Sequence, residues 1–242
     1  MTPRLRIGTA GWSVPSLYLG RVPAGGSHLE RYARHLNAVE INSSFYRPHR
    51  RATYQRWAQS VPDDFRFSVK VPKTITHEAG LADCGALLDR FVDEVTGLGD
   101  KLGMLLVQLS PKSAFQKRIA NGFFRGVRMR IDTDVVVEPR HASWFAPGVD
   151  DWLANRRIAR VAADPAPVAG AGEPGGRREF AYYRWHGSPH IYYSNYDAAA
   201  LATLKRRLED RARQSSAWCI FDNTTAGAAL GNALELAQSL QP

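Results

Sequence analysis

A chain of 242 residues, 44% hydrophobic and 23% charged, can bury a substantial core and has the usual size of one α/β barrel, so a single domain over 1–242 is expected. Cys84 and Cys219 match no metal or redox spacing, no apolar signal core precedes the first strand, and no apolar run approaches a membrane span. A disulfide scaffold and a membrane protein are thereby excluded, a soluble cytoplasmic protein is expected, and the net charge of +9 points to anionic partners.

Strand-like and helix-like segments alternate along the chain. Leu5 to Ala10 reads as a short first strand closed by Gly11 and Trp12. Ser27 and Glu30 have the spacing of a capping box, and Leu29, Tyr32, Ala33 and Leu36 follow at helical intervals. Ala38 to Ser43 is the second strand; Tyr54, Trp57, Ala58 and Val61 mark a helix, and Phe65 to Val71 the third strand. Leu87, Leu88, Phe91, Val95 and Leu98 specify a helix that leads into Met104 to Leu109. Phe115 and Ile119 suggest another helix before the run Val135-Val136-Val137, whose lack of polar alternation implies burial on both faces. Val149, Trp152 and Leu153 precede a sixth strand, Ile158 to Ala163.

Residues 164–178 are rich in Pro, Gly and Ala and show no helical period, so a loop stands where a helix is expected. Phe180 to Trp185 is the seventh strand, Asp197 caps a helix with Leu201, Leu204 and Leu208, Ala217 to Phe221 is the eighth strand, and 227–240 is a closing helix. Eight strands with mostly helical crossovers predict a TIM-type (β/α)8 barrel in which a Pro/Gly-rich loop replaces the helix between strands six and seven. An open doubly wound sheet is the alternative, but no glycine-rich phosphate loop follows any strand.

In a barrel the residues at the carboxyl ends of the strands face the mouth. Here they are Thr9 and Trp12; Glu40 and Asn42; Lys70 and Lys73; Gln108; Glu138, Arg140 and His141; Asp164; Arg184 and His186; Asp222 and Asn223. Glu40 with Asn42, Ser68 with Lys70, Glu138 with Arg140, and Tyr182 with Arg184 and His186 share strand parity and can face one side.

The stretches 40–46 (Glu-Ile-Asn-Ser-Ser-Phe-Tyr), 67–70 with Thr76-His77, 137–145 (Val-Glu-Pro-Arg-His-Ala-Ser-Trp-Phe), Arg184-Trp185-His186-Gly187, and Phe221-Asp222-Asn223 with Asn232-Ala233 resemble, in this order, the YecE-like family, domain of unknown function 72. The resemblance runs over nearly the whole chain and implies a TIM-type barrel of unsettled biochemical role; likeness to endonuclease IV-like barrels is the usual suggestion for it. Two positions depart from the family's pattern: Pro139, where Phe or Leu is common, and Asp222, where Asn is common.

Two readings of the rim compete. Glu40, Lys70, Glu138 and Arg184 could neutralise one another as a structural plug, since buried charges must be paired. As a site, the rim would carry acid/base chemistry on a small anionic ligand, with Glu138, Glu40, His141 and Lys70 as proton carriers. Asn42, Lys73, Gln108, Arg140, Trp144, Arg184, His186, Asn223 and Gly227 would bind the ligand, the last through free amides at the start of the final helix. Glu40, His77, Glu138, His141, Asp164 and His186 are metal-ligand types, but no HxxxH, HxH or DxH spacing concentrates them, so neither metal nor cofactor is expected. The alternative to a small-molecule enzyme is a nucleic-acid-binding or processing protein that uses the Arg-rich surface.

Overall fold

The structure, a computed structural model, describes residues 5–22 and 24–241; the ends of the expected domain, 1–4 and 242, and residue 23 lie outside the described residues. The chain runs β1 (Leu5–Thr9), α1 (His28–Ala33), β2 (Ala38–Ile41), α2 (Arg51–Gln59), β3 (Arg66–Lys70), α3 (Gly85–Val95), β4 (Leu102–Gln108), α4 (Lys117–Arg128) and β5 (Asp134–Glu138). It continues through α5 (Val149–Ala154), β6 (Ile158–Arg160), β7 (Ala162–Asp164), β8 (Gly175–Gly176), β9 (Phe180–Trp185), α6 (Ala198–Ala212), β10 (Ser216–Phe221) and α7 (Ala228–Ser239). Among the described residues no helix is long and apolar enough to cross a membrane.

The capping box forms as its spacing requires: Ser27 Oγ accepts from the Glu30 amide at 3.3 Å and Glu30 Oε2 accepts from the Ser27 amide at 2.6 Å. Asp197 caps α6 by accepting from the Ala200 amide at 2.8 Å. The expected sixth strand divides at Val161 into β6 and β7. Phe115 precedes α4 rather than starting it, and α4 buries Ala120, Phe123, Phe124 and Val127.

The strands form a mixed α/β fold of two sheets, ordered β1-β10-β9-β7 and β2-β3-β4-β5-β6-β8, parallel throughout except for the short β8 against β6. The sheets meet where β6 runs on into β7, and at the β1–β2 seam. That seam has one parallel bridge, Ala10 to Glu40, and one further ladder bond, Gly11 N to Glu40 O at 2.8 Å. Side chains take the other bonds: Ile7 N donates to Asn37 Oδ1 at 2.9 Å, Thr9 N to the Tyr32 hydroxyl at 2.8 Å, and that hydroxyl to Ala38 O at 2.9 Å. Close approach demands glycine here, because a Cβ on Gly8 would lie 2.2 Å from Ala38 O.

Two apolar clusters follow from strand alternation. The larger packs the helices, with Leu29, Phe91, Phe124 and Leu204, against the odd-numbered residues of β1 and β5. The smaller consists of residues on or beside the strands and none from a helix, including Ala38, Met104, Leu106, Val136, Tyr182, Trp218 and Ile220. Two residues further along these columns stand Glu40, Gln108, Glu138, Arg184 and Asp222, and the apolar column of each strand ends in a polar group. Residues 164–178 cross without a helix, fastened by Arg160, which holds Asp150 through two bonds of 2.8 and 2.9 Å and reaches Gly170 O and Glu173 O.

Candidate functional site

Arg184, fully buried near the end of β9, is the centre of the charged cluster. Its Nε and Nη2 bind Glu40 Oε2 and Oε1 at 3.0 and 2.7 Å, a bidentate pairing that fixes the guanidinium plane. Nη1 binds Glu138 Oε2 at 2.5 Å and Nη2 binds Asp222 Oδ2 at 2.8 Å. Tyr182, one step before on the same face, places its hydroxyl 3.0 Å from both Glu40 Oε2 and Ser68 Oγ. Strand register makes these meetings: β9 pairs with β10 with Arg184 beside Ile220, and β4 pairs with β5 with Gln108 beside Glu138.

His186 closes the cluster on its outer side. Nδ1 lies 3.0 Å from Asp222 Oδ2 and Nε2 2.9 Å from Glu138 Oε1, and an imidazole can donate to two carboxylates at once only as the cation. Burial opposes its protonation, but the charge of Glu138 and the bonds to Asp222 and Glu138 raise it above the ordinary histidine value. Burial likewise opposes ionisation of Glu138, and the charges of Arg184, His186 and Arg140 overcome it, holding this carboxyl well below the usual range. Asp222 is lowered in the same way, by Arg184 and His186 against burial.

Three carboxylates therefore face Arg184, a protonated His186 and Arg140, whose Nη2 reaches Glu138 Oε1 at 3.4 Å. The charges balance without Lys70. This lysine ends β3 with 5% of its surface exposed, and no carboxylate among the described residues comes within ion-pair distance of it. Nζ donates to the neutral Asn42 Oδ1 at 3.1 Å and sits 4.1 Å from the centroid of the Phe45 ring. Loss of solvation and then the charge of Arg184 pull the ammonium down to about 8, against the opposite influence of Glu40, Asp222 and Glu138. Gln108 is buried beside Glu138 with its side-chain amide unbonded to the described residues.

The structure thus brings Glu40, Asn42, Lys70, Gln108, Glu138, Arg140, Arg184 and His186 to one end of the sheets. The other expected site residues lie apart. His141 Nδ1 accepts from the Ser143 amide and lies 2.9 Å from Ser143 Oγ, capping the short turn Ala142–Phe145. Trp144 is buried, edge-on to Phe115 at 4.8 Å, with Nε1 donating to Ser113 O at 2.9 Å, so it packs rather than offering a face. Lys73 is exposed and paired with Glu78 at 3.3 Å. Asn223 Nδ2 spans Ser194 O and Asn232 Oδ1, both at 2.9 Å, and so ties the β9–α6 loop to α7.

Gly227 lines a cavity of about 280 Å³ with Thr9, Gly11, Ser13 and Thr224, in which Arg184 and His186 take no part. Its amide is already bonded to Thr224 O at 3.0 Å, as Ala229 N is to Asn223 O at 3.2 Å. Asp222, Tyr182 and Ser68 are members of the cluster that the expected site set leaves out. Their signal was parity, since Asp222 stands two and four residues after Ile220 and Trp218 of the inner face. Among the described residues no three His, Cys, Asp or Glu side chains are grouped so as to hold a metal ion.

Comparison with known proteins gives this chain a family. The family model described as "Protein of unknown function DUF72" matches residues 6–242. The chain belongs to the DUF72 family. It is 33% identical to the UPF0759 protein YecE of Escherichia coli K12 over 170 residues, which cover 68% of this chain and 61% of YecE. Against the UPF0759 protein YunF of Bacillus subtilis it is 27% identical over 148 residues, 58% of this chain and 52% of YunF. The matched stretch thus spans less than two thirds of either UPF0759 relative. Crystal structures of DUF72 proteins from Enterococcus faecalis and Thermotoga maritima share the fold. The first has a TM-score of 0.81 at 22% identity, covering 98% of this chain and 95% of that one. The second has 0.79 at 22% identity, covering 98% and 99%.

Proposed function

We propose that the two sheets act together as one TIM-type (β/α)8 barrel, with residues 164–178 in place of a helix, and that the end carrying the charged cluster is the site of an enzyme. In this reading it performs acid/base chemistry on a small ligand bearing a phosphate or carboxylate. The observation that carries the reading is Lys70, a buried ammonium left over from a charge balance that is complete without it. An anion would supply the missing partner, and a lysine drawn toward neutrality is a proton carrier near physiological pH.

Glu40 and Glu138 serve chiefly to hold Arg184 and His186, because their oxygens are occupied and Glu138 resists protonation. Arg140, which contacts Glu138 at 3.4 Å and the Tyr192 side chain, is placed to offer its remaining donors to the ligand, beside Gln108 and Asn42. His141, tied to Ser143 by Nδ1 in the cap of the turn Ala142–Phe145, takes no part in this reading. A small ligand is favoured over a nucleic-acid backbone because the surface arginines are dispersed over several elements and some are paired, as Arg51 is with Asp93, Arg90 with Glu94 and Arg130 with Asp89.

The test is a thermal-shift and calorimetric screen with inorganic phosphate, sulfate and carboxylate metabolites. At least one anion should raise the melting temperature of the wild type and fail to do so for Lys70→Met and Arg140→Ala variants that remain folded. Shifts that survive both substitutions, or no shift with any anion, would overturn the reading.

A further inference from the structure

Thr76 and His77 sit on a π turn, Thr74–Glu78, that follows β3, and the fold returns them to Lys70. The Phe45 ring is common ground: Lys70 Nζ lies 4.1 Å from its centroid, and the His77 ring meets it edge-on at 5.1 Å. Hydrogen bonding assigns the tautomer of His77. Thr76 Oγ1 donates to Pro72 O at 3.2 Å, so its lone pair accepts Nδ1–H of His77 at 2.9 Å, which leaves Nε2 as an unprotonated acceptor. Burial, then the charges of Lys70 and Arg140, hold His77 below the ordinary histidine value and thus neutral.

We propose that Lys70 is a nucleophile that forms a Schiff base with a small anionic aldehyde or ketone, with His77 Nε2 as proton shuttle and Arg140 holding the anionic group. The inference rests on the anion-binding reading above and names its substrate class. The geometry suits an amine that can react: among the described residues no carboxylate lies within ion-pair distance of Nζ, its one hydrogen-bond acceptor is the neutral Asn42 Oδ1, and the exposed His77 meets the same Phe45 ring. Desolvation and neighbouring cations are the two ways in which proteins activate lysine, and both act here. With a value of about 8, roughly one amine in ten is neutral at pH 7.

The step balances without an oxidant or reductant. The neutral Nζ adds its lone pair to the carbonyl carbon, and the C=O π pair moves to oxygen, which takes a proton from solvent. Nζ passes a proton to His77 Nε2. The imidazolium then protonates the carbinolamine hydroxyl, which leaves as water while the nitrogen pair closes the C=N bond. An iminium cation stands where the ammonium stood, so the charge of the cluster is conserved.

To test this, the full-length protein is incubated separately with pyruvate, glyoxylate, dihydroxyacetone phosphate and glyceraldehyde 3-phosphate, each with sodium borohydride, and adducts are located by peptide mass mapping. The expected result is a reduced adduct on Lys70 with at least one probe, formed roughly tenfold or more faster than on Lys73 or Lys112, as a more neutral amine requires. His77→Gln should slow trapping without abolishing it, and Lys70→Met should remove it. Mapping on the wild type keeps the test decisive even if Lys70→Met fails to fold. No adduct at Lys70 with any probe, or equal labelling of exposed lysines, overturns the proposal. If anions still raise the melting temperature while none of the four carbonyl probes is trapped, the covalent proposal falls and the anion-binding reading stands.

Discussion

Glu138 shows how a side chain placed by a strand's last residue becomes part of a closed charge system. It accepts from Arg184 at 2.5 Å, from His186 at 2.9 Å and from Arg140 at 3.4 Å, with 1% of its surface exposed. Glu138→Gln removes the charge that three cations face, and breaking a buried pair from one side costs about 3–5 kcal/mol. The sign of the pH dependence follows from the lowered carboxyl: its stabilisation is fully present above the unfolded value, about 4.3, and is lost only as pH falls through the much lower folded value. Urea unfolding of the wild type and variant should therefore differ by this amount from pH 7 down to about pH 4 and converge below. Equal stability at pH 7 would show that Glu138 is not needed to hold Arg184. Which strand ends are charged was readable from parity, and Glu40, Glu138 and Arg184 were found that way. Mutual pairing of Glu40, Glu138 and Arg184 was one of the two readings of the rim; that Asp222, His186 and Tyr182 join the same network was not readable, because it depends on register between strands remote in sequence. Asp222 stood on the expected rim without a partner or role for that reason.

Among the elements, the β1–β2 seam is where local reasoning about strands runs out. Both strands were legible, as were α1 and its capping box, yet the join between them rests on the Tyr32 hydroxyl and the Asn37 side chain instead of a regular ladder. Tyr32 looks from its spacing like one more apolar residue of an amphipathic helix. Its hydroxyl is buried and lies 3.1 Å from Thr9 Oγ1 as well. Tyr32→Phe leaves the Thr9 amide and the Ala38 carbonyl without their partner, a loss of about 1–3 kcal/mol read as a lower urea midpoint. A change below about 0.5 kcal/mol, the usual range for a neutral surface substitution, would mean the seam closes without that hydroxyl. The division of the sixth strand escapes sequence reading for a related reason: apart from Arg160, Ile158 to Ala163 is apolar or small and carries no signal of where pairing passes from β5 to β9. Val161 N still bonds Val137 O at 2.9 Å, while Ala162 is already beside Tyr183.

For the molecule as a whole, the alternation of strands and helices and the parallel sheets were legible because each strand must bury two faces, one against helices and one against other strands. Net charge was less informative. A total of +9 says nothing of where the charge stands, and in the structure the excess is dispersed: α2 and α4 carry Arg51, Arg56, Lys117, Arg118, Arg125 and Arg128 without an Asp or Glu of their own, and α6 carries further Arg elsewhere. A polyanion should therefore bind by diffuse attraction alone. Fluorescence anisotropy with labelled single- and double-stranded oligonucleotides should show weak binding at about 50 mM salt that is gone by about 200 mM. Arg140→Ala should leave the slope of log affinity against log salt unchanged. A protein that tracks a phosphate backbone through its mouth would lose about one unit of slope for each contact removed. Binding that survives physiological salt and becomes shallower by that amount in Arg140→Ala would place a nucleic acid, rather than a small anionic carbonyl compound, against Lys70 and Arg140.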